Sequence, residues 1–181
     1  MARMTGTVRG AVAAAAVALA GAGCAAAMGG GTGATSVPVF DASGRQVAQL
    51  SIVTAQGGMA LTLSAAGLPA GVKGVHLHAV GRCDAPDFTT AGPHLNPTGR
   101  QHGRENPQGP HLGDLPNLTV GADGRGTLTG IVEGTLAEGG VIRDGDGTAI
   151  VVHAAADDNR TDPSGNSGAR IACGVIAPPR S

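Results

Sequence analysis

Residues 37–71 read VPVFDASGRQVAQLSIVTAQGGMALTLSAAGLPAG, and this stretch decides the fold class. Three short apolar runs, 37–41, 46–54 and 59–65, are separated by the turn-forming sequences ASG, QGG and GLPAG. The first and third runs alternate in part between apolar and polar residues, as strands with one buried face do. The stretch therefore predicts three short strands joined by turns.

The rest of the chain continues this pattern of short strands and frequent turns. The further strand candidates are residues 75–80, 118–122, 127–133, 148–153 and 170–177. A hairpin turn is indicated by Asp123-Gly124. Residues 81–118 hold too much Gly and Pro for regular structure and are predicted to form one long loop, and 157–168 a second, polar loop. Seven or eight such strands favour an all-β antiparallel sandwich or barrel.

Composition indicates one compact domain rather than a nucleic-acid-binding protein. The chain has 181 residues, a formal net charge of −1 and only 14% charged residues, so nothing in its composition argues for nucleic-acid binding. The 32 Gly and 11 Pro agree with a fold rich in turns. We divide the chain into a removable segment 1–23, a flexible tether 24–35 and a folded domain 36–181.

The first 23 residues are typical of an export signal. Arg3 and Arg9 precede an Ala-rich apolar run over residues 11–22, which is shorter than the roughly 20 residues that a membrane span needs. The sequence GAGC ending at Cys24 resembles a lipobox, so a lipid on Cys24 would anchor the protein to the cell envelope. Ordinary cleavage near residues 24–27 would instead leave a free periplasmic or extracellular protein.

Three cysteines, an odd number, require an explanation in an exported protein. If Cys24 is lipidated or removed, Cys83 and Cys173 remain, and an oxidising compartment would let them form a disulfide. Such a bond would close a loop of about 91 residues and contribute roughly 4 to 5 kcal/mol in the chain-entropy view. Two buried free thiols are the alternative.

All six histidines of the chain fall into an arrangement suited to metal binding. His76 and His78 form an H-x-H pair on one predicted strand, so their side chains share a face and can reach one ion. The next strand-end histidine, His153, can join them. Imidazole groups favour copper and zinc.

A second group lies in the long loop. It offers three imidazoles and one carboxylate, a set that suits tetrahedral zinc: His94, His102, His111 and Asp114. A nitrogen-only site beside a nitrogen-and-oxygen site is consistent with one copper and one zinc. The spacing does not show whether any histidine is shared.

Five sequence blocks resemble the signatures of the Cu,Zn superoxide dismutases: GVHLHAVG, AGPHLNP, HLGDL, VVHAAADD and GARIACGVIA. They occur in family order across residues 36–177. The long segment between Cys83 and His94 is similar to that of the bacterial exported members. The resemblance implies a Greek-key β-sandwich or barrel of about eight strands with long metal-binding and active-site loops.

The resemblance also implies a role for each candidate residue. Copper would be bound by His76, His78, His94 and His153. Zinc would be bound by His94, His102, His111 and Asp114, which makes His94 a bridging ligand. The implied disulfide joins Cys83 to Cys173. Asp157 would link His76 to His102, and a surface loop acid is the alternative for it. Arg170 would bind the anionic substrate, and a surface arginine is the alternative there.

The implied activity is the dismutation of superoxide to dioxygen and hydrogen peroxide. A departure from eukaryotic members is the short loop between Asp157 and Arg170, which lacks their acidic and lysine cluster for steering the substrate. The alternative function is a non-catalytic, exported copper- and zinc-binding or copper-delivery protein on the same scaffold. The sequence does not distinguish a monomer from a dimer.

Overall fold

The computed structural model describes residues 1–2 and 34–180, and within them nearly all of the regular secondary structure is β-strand. The nine strands are β1 (Thr35–Asp41), β2 (Gln46–Ala55), β3 (Gly58–Ala66), β4 (Gly71–Lys73), β5 (Val75–His78), β6 (Leu118–Val120), β7 (Arg125–Val132), β8 (Thr148–His153) and β9 (Arg170–Ala177). One 3-10 helix, Thr89–Ala91, lies in the long loop between β5 and β6.

Seven strands form one antiparallel sheet in the order β5-β8-β9-β1-β2-β3-β7, and β4 pairs with β6 in a second, small sheet. Two successive hairpins join β1 to β2 and β2 to β3. The chain then passes from β3, near one end of the sheet, to β5 at the other end, and it crosses again between β7 and β8. Such crossings are typical of Greek-key connections. The prediction of an all-β antiparallel fold is confirmed.

Two predicted strand assignments were wrong in detail. The short strand β4 was not predicted: Gly71 was placed in a turn and residues 72–73 in no strand, because these three residues become a strand only by pairing with the distant β6. The predicted strand 75–80 ends at His78. Beyond it, Ala79 N–H donates to Pro93 O (2.9 Å) and Val80 N–H donates to Ala91 O (3.0 Å), so the chain leaves β8 and joins the long loop.

Two layers of buried side chains lie on opposite faces of β5, β8 and β9. On one face, Val75 and Leu77 join Ile150 and Val152 in the main apolar core. On the other face, a smaller cluster contains Phe88, Ala91, Ala149, Val151 and Cys173. All six residues of β8 are buried, since loops cover the face that the core does not. The histidines belong to this outer, loop-covered layer.

The long loop is held against the sheet by a covalent bond and by backbone hydrogen bonds. Cys83 and Cys173 form a disulfide, which confirms that predicted pair. The loop also pairs with the free edge of β5, where Leu77 N–H donates to Gly113 O (2.9 Å) and Leu95 N–H donates to Leu77 O (2.8 Å). Gly113 is required at this contact, because a Cβ there would overlap the carbonyl of Leu77.

The predicted signal peptide lies, apart from its first two residues, outside the described part of the chain, as does Cys24. Among residues 1–2 and 34–180, no helix has the length and apolar character needed to cross a bilayer.

Candidate metal centre

Strand β5 and the long loop bring the first four site residues onto one face. His76 lies opposite Asp114 and His78 lies opposite His94 in two isolated antiparallel bridges. Directly opposite residues of an antiparallel pair point to the same side of the sheet. All four residues are buried, between 0% and 8% exposed. The loop backbone therefore delivers His94 and Asp114 to the H-x-H pair.

His153 enters the same face from the end of β8. It pairs with Arg170 at the start of β9, next to a register shift between Val152 and His153. The irregularity re-aims the side chain at the edge of the sheet. His153 is 3% exposed, and its ring centroid lies 4.8 Å from that of His76. The strand end thus supplies the fourth imidazole.

Four imidazole nitrogens form the first group, and their candidate ligand atoms all lie within 4.8 Å of one another. The rings belong to His76, His78, His94 and His153. In each ring one buried nitrogen has no hydrogen-bond partner within residues 34–180: His76 Nδ1, His78 Nε2, His94 Nε2 and His153 Nε2. Buried polar atoms are rarely left unpaired, so four such nitrogens directed at one place fit the binding of a cation.

In three of these rings the second nitrogen donates a hydrogen bond, and this bond determines which nitrogen is free to bind a metal. His78 Nδ1–H donates to Gly92 O (2.8 Å) and His153 Nδ1–H donates to Gly168 O (3.0 Å). His76 Nε2–H donates to Asp157 Oδ2 (2.8 Å). Because carbonyl and carboxylate oxygens only accept, each of these rings carries its proton outward and, when neutral, points a lone pair inward. This is the tautomer that metal ligation requires.

The second group surrounds one carboxylate oxygen. Asp114 Oδ1 lies 3.1 Å from His94 Nδ1, 3.0 Å from His102 Nδ1 and 3.3 Å from His111 Nδ1. His111 Nδ1 lies 3.4 Å from His94 Nδ1. Four ligands at zinc bond lengths of about 2.0 to 2.1 Å stand about 3.3 to 3.4 Å apart in a tetrahedron. The observed separations fit such an ion.

Mutual distance alone selects a second group of candidate ligand atoms that differs from the predicted zinc set by one residue. Atoms of His76, His94, His102 and Asp114 all lie within 4.8 Å of one another, and His111 is not part of that set. The Nε2–H of His76 donates its hydrogen bond to Asp157, and its Nδ1 belongs to the first group, so His76 has no nitrogen left for a second ion. The contacts of His111 with Asp114 and His94 favour His111 as the fourth member.

His94 lies between the two groups. Its Nε2 is one of the four unpaired nitrogens of the first group, and its Nδ1 faces Asp114 in the second. Its ring stacks on that of His76, with centroids 4.0 Å apart. A ring can bind a cation through each nitrogen only if both protons leave, which two neighbouring cations make possible.

In the metal-free protein, burial and hydrogen bonds shift the pKa values of four of the histidines. Burial lowers the pKa of His78 to about 2 and that of His153 to about 3, and burial also lowers the pKa of His94 to about 4. Burial would lower the pKa of His102 as well, but hydrogen bonds to Asp114 and Asp157 outweigh it and raise the pKa to about 9. His78, His94 and His153 are therefore neutral near pH 7 and can bind a cation at the unprotonated nitrogen without first losing a proton.

Asp157 connects the two groups. Its Oδ2 accepts from His76 Nε2 (2.8 Å) and its Oδ1 accepts from His102 Nε2 (3.0 Å). Burial alone would raise its pKa, but these hydrogen bonds hold the pKa well below the usual range of an aspartate. Gly165 leaves the space for this carboxylate, since a Cβ there would overlap Asp157 Oδ1.

Asn117 supports Asp157 and was not found from the sequence. Its Nδ2–H donates to Asp157 O (2.8 Å), and its Oδ1 accepts from the Asp157 N–H (2.9 Å). Both backbone groups of Asp157 are thus paired with one side chain 40 positions away. The only sequence signal is that Asn117 lies three residues after Asp114.

Arg170 lies beside the first group, half-buried. Its guanidinium donates to Phe88 O and to Gly92 O, both at 2.7 Å. The same Gly92 carbonyl accepts from His78, so Arg170 and His78 donate to one common oxygen. Burial lowers the pKa of Arg170, but a guanidinium stays charged at every physiological pH. The two bonds leave further N–H donors of the fork for a small anion.

Comparison with known proteins gives one consistent family. The sequence profile described as "Copper/zinc superoxide dismutase (SODC)" matches residues 47–176. The chain is 37% identical over 149 residues to "Superoxide dismutase [Cu-Zn] 1" of Aquifex aeolicus, covering 78% of this chain and 86% of that protein. It is 45% identical over 123 residues to "Superoxide dismutase-like protein YojM" of Bacillus subtilis, covering 66% of this chain and 63% of that protein.

A solved structure shows the same fold. The crystal structure of a superoxide-dismutase-like protein from Bacillus subtilis, carrying histidine in place of a tyrosine and of a proline, is 42% identical to this chain. It superimposes with a TM-score of 0.71, covering 78% of this chain and 96% of the solved chain. Sequence profile, relatives and fold agree, and the chain belongs to the copper/zinc superoxide dismutase family.

Proposed function

We propose that this protein converts superoxide to dioxygen and hydrogen peroxide. The observation that carries the proposal is the convergence of four unpaired, buried imidazole nitrogens next to a zinc-like group, with His94 common to both. The name of the Aquifex aeolicus relative supports the same activity. The reaction consumes two superoxide ions and two protons, and it yields one dioxygen and one hydrogen peroxide.

The geometry supports the ligand assignment that the family resemblance implies. Copper would be held by His76, His78, His94 and His153, and zinc by His94, His102, His111 and Asp114. Copper bound there would supply the one-electron redox chemistry that the reaction requires, whereas zinc has no redox chemistry. Everything else required of the site falls to the side chains of the chain.

Arg170 would bind the substrate. Superoxide is a small monoanion, and the guanidinium presents a permanent positive charge with donors in a fixed fork. Its two bonds to backbone carbonyls hold it beside His78, so an anion bound there lies next to the first group. The loop from Asp157 to Arg170 contributes three acidic residues and one other arginine, so Arg170 carries most of the local attraction for an anion.

His94 would handle a proton. Its Nε2 faces the first group and its Nδ1 faces Asp114, so the ring is held at one nitrogen while the other can carry a proton toward a reduced substrate. Asp157 would orient the rings on both sides through His76 and His102. A carboxylate behind a metal-binding histidine fixes the tautomer and strengthens the ligand.

Export of the protein is part of the proposal. Residues 1–23 would act as a signal peptide and 24–35 as a tether, which leaves 36–181 as the catalytic domain. The disulfide Cys83–Cys173 supports an oxidising compartment, since such bonds are rare in the cytosol. A lipid on Cys24 would anchor the protein to the envelope. Mass spectrometry of the mature N-terminus distinguishes a lipidated Cys24 from a free one.

Metal analysis with a dismutation assay tests the function. The purified protein should hold one copper and one zinc per chain, and its activity should vanish when copper is removed and return when copper alone is added back. Stoichiometric metal binding without dismutation would overturn the enzyme assignment and favour a metal-binding or copper-delivery protein. Failure to bind either metal would contradict the ligand assignment.

A further inference from the structure

The second metal group reaches solvent on one side. Of its four predicted ligands, the side chains of His102 and Asp114 are fully buried, whereas those of His94 and His111 keep 5% and 7% exposure. Both of these rings line an open cavity of about 500 Å³. The cavity therefore opens onto the outer edge of the zinc group.

Three carboxylates from two other parts of the chain line the same cavity. Asp144 and Asp146 come from the segment between β7 and β8, and Asp162 comes from the loop before β9. A single cationic side chain, Arg100, faces them in this lining. The cavity thus carries an excess of negative charge, which attracts cations and raises their local concentration.

Asp162 joins this acidic lining to the zinc group. Its Oδ1 accepts from the backbone N–H of His102 (2.6 Å) and lies 3.8 Å from His111 Nε2. An aspartate of the cavity wall therefore lies next to two of the predicted zinc ligands.

The ring of His111 presents one of its nitrogens to this cavity. His111 is 93% buried, given its 7% exposure, and its Nδ1 is directed at Asp114 and His94. Its Nε2 points the other way and makes no hydrogen bond within residues 34–180, since Asp162 Oδ1 at 3.8 Å is too distant. Imidazole nitrogen and carboxylate oxygen are both ligands for a divalent cation such as zinc.

We propose that this cavity is the port through which zinc enters and leaves its site, with Asp144, Asp146 and Asp162 attracting the ion and Asp162 delivering it to His111. The proposal rests on the proposed function, because it takes the zinc assignment as given. It concerns the rate of zinc uptake and not the chemistry at the copper group, whose substrate arginine lies beside Gly92 and Phe88.

The test measures how fast zinc enters the full-length, disulfide-intact protein after its metals have been removed with a chelator. Zn²⁺ is added with a fluorescent zinc indicator in stopped flow at low and high ionic strength. Asp162→Asn keeps an Oδ1 that accepts from His102, so it removes charge and spares that hydrogen bond. We expect uptake about three to ten times slower at low ionic strength, with a smaller effect at high salt.

A double variant and a remote control complete the test. Asp144→Asn with Asp146→Asn should slow uptake similarly, and it carries the test if Asp162→Asn fails to fold by circular dichroism. Asp123→Asn, which removes the same charge from the turn between β6 and β7, should leave uptake unchanged. Copper uptake by the zinc-loaded variants should also be unchanged.

The outcomes separate this proposal from the proposed function. Zinc uptake at the parental rate in both cavity variants would overturn the port, as would equal slowing by Asp123→Asn, which would show an effect of net charge alone. Loss of dismutation in a parental protein that holds both metals would overturn the proposed function instead. The final zinc content of the cavity variants should still reach one ion per chain.

Discussion

Replacing Arg170 by alanine should slow dismutation while both metals stay bound. Within residues 34–180 the guanidinium donates hydrogen bonds only to the carbonyls of Phe88 and Gly92, and Gly92 O keeps its hydrogen bond from His78 when the arginine is gone. The copper ligands therefore retain their support. What is lost is one positive charge at the place where we expect the anion to bind.

The size of the effect follows from the position of the charge. Two unit charges about 4 Å apart attract by about 1 kcal/mol in water and about 4 kcal/mol at an effective dielectric constant of about 20. Arg170 is half-buried, so an intermediate loss of about 1 to 3 kcal/mol is expected. In kcat/KM this corresponds to a decrease of about 5- to 150-fold.

The assay is steady-state or pulse-radiolysis dismutation, together with metal analysis of each variant. Raising ionic strength from about 0.01 to 0.15 M shortens the Debye length from about 30 to about 8 Å, so the parental rate should fall more than the variant rate. Arg125→Ala, which removes an exposed arginine at the start of β7, is the matched control and should keep the parental rate. Equal rates for the Arg170 and Arg125 variants, with copper bound in both, would refute the assignment of Arg170 to the substrate.

Three further changes test other parts of the site. His153→Ala should abolish dismutation and copper binding while one zinc remains, as measured by metal analysis; retained copper with full turnover would show that the ligand assignment is wrong. Gly165→Ala should weaken binding of both metals and cost more than about 1 kcal/mol in unfolding experiments, because the new Cβ would displace Asp157 from a backbone with φ of 62°. Gly44→Ala has a similar φ of 80° but open space around the Cβ, so an equal loss of metal binding there would contradict this reason. In the metal-free protein, burial lowers the pKa of His78 to about 2 and that of His153 to about 3, so both stay neutral when folded and take up protons when unfolded. Stability should therefore fall as the pH drops below about 6.5, by roughly 2 to 3 kcal/mol per pH unit from these two rings. His94, whose pKa burial lowers to about 4, adds to the fall, and a flat urea-denaturation profile between pH 6.5 and 4.5 would oppose this.

Strand positions were predictable where the signal is local. The strands Thr148–His153 and Arg170–Ala177 have the predicted bounds, and β1 to β3 agree with prediction within two residues at each end. In these segments, apolar runs and flanking turn residues lie next to one another in the sequence. The strand Gly71–Lys73 was missed because only its pairing with Leu118–Val120 makes it a strand.

The spacing of residues in the sequence predicted which residues form the candidate site, but it did not predict that His94 lies between the two groups. Spacing showed that His76 and His78 share a face, since two-residue periodicity is a local property of a strand. The contact of His94 with both groups depends on how the long loop returns to the edge of β5, which no local pattern specifies. Only the resemblance to a family supplied that expectation.

Residues that support the site through backbone contacts were the least visible in the sequence. Asn117 and Gly165 both hold Asp157 in place, one by pairing with its backbone and the other by lacking a side chain. Neither residue type signals such a role, because asparagine and glycine are ordinary in loops. Asp162 was visible only as one charge among several in a polar segment.

The separation between the two buried layers has an evolutionary consequence. Val75 and Leu77 fill the apolar interior from one side of β5, while the intervening imidazoles of His76 and His78 project to the other side. Selection can therefore alter reactivity without threatening the architecture, since ligand substitutions leave the interior untouched. A solved homologue into which two histidines were introduced still superimposes on this chain. The sequences of the apolar interior and of the metal-binding face can therefore diverge independently on this framework.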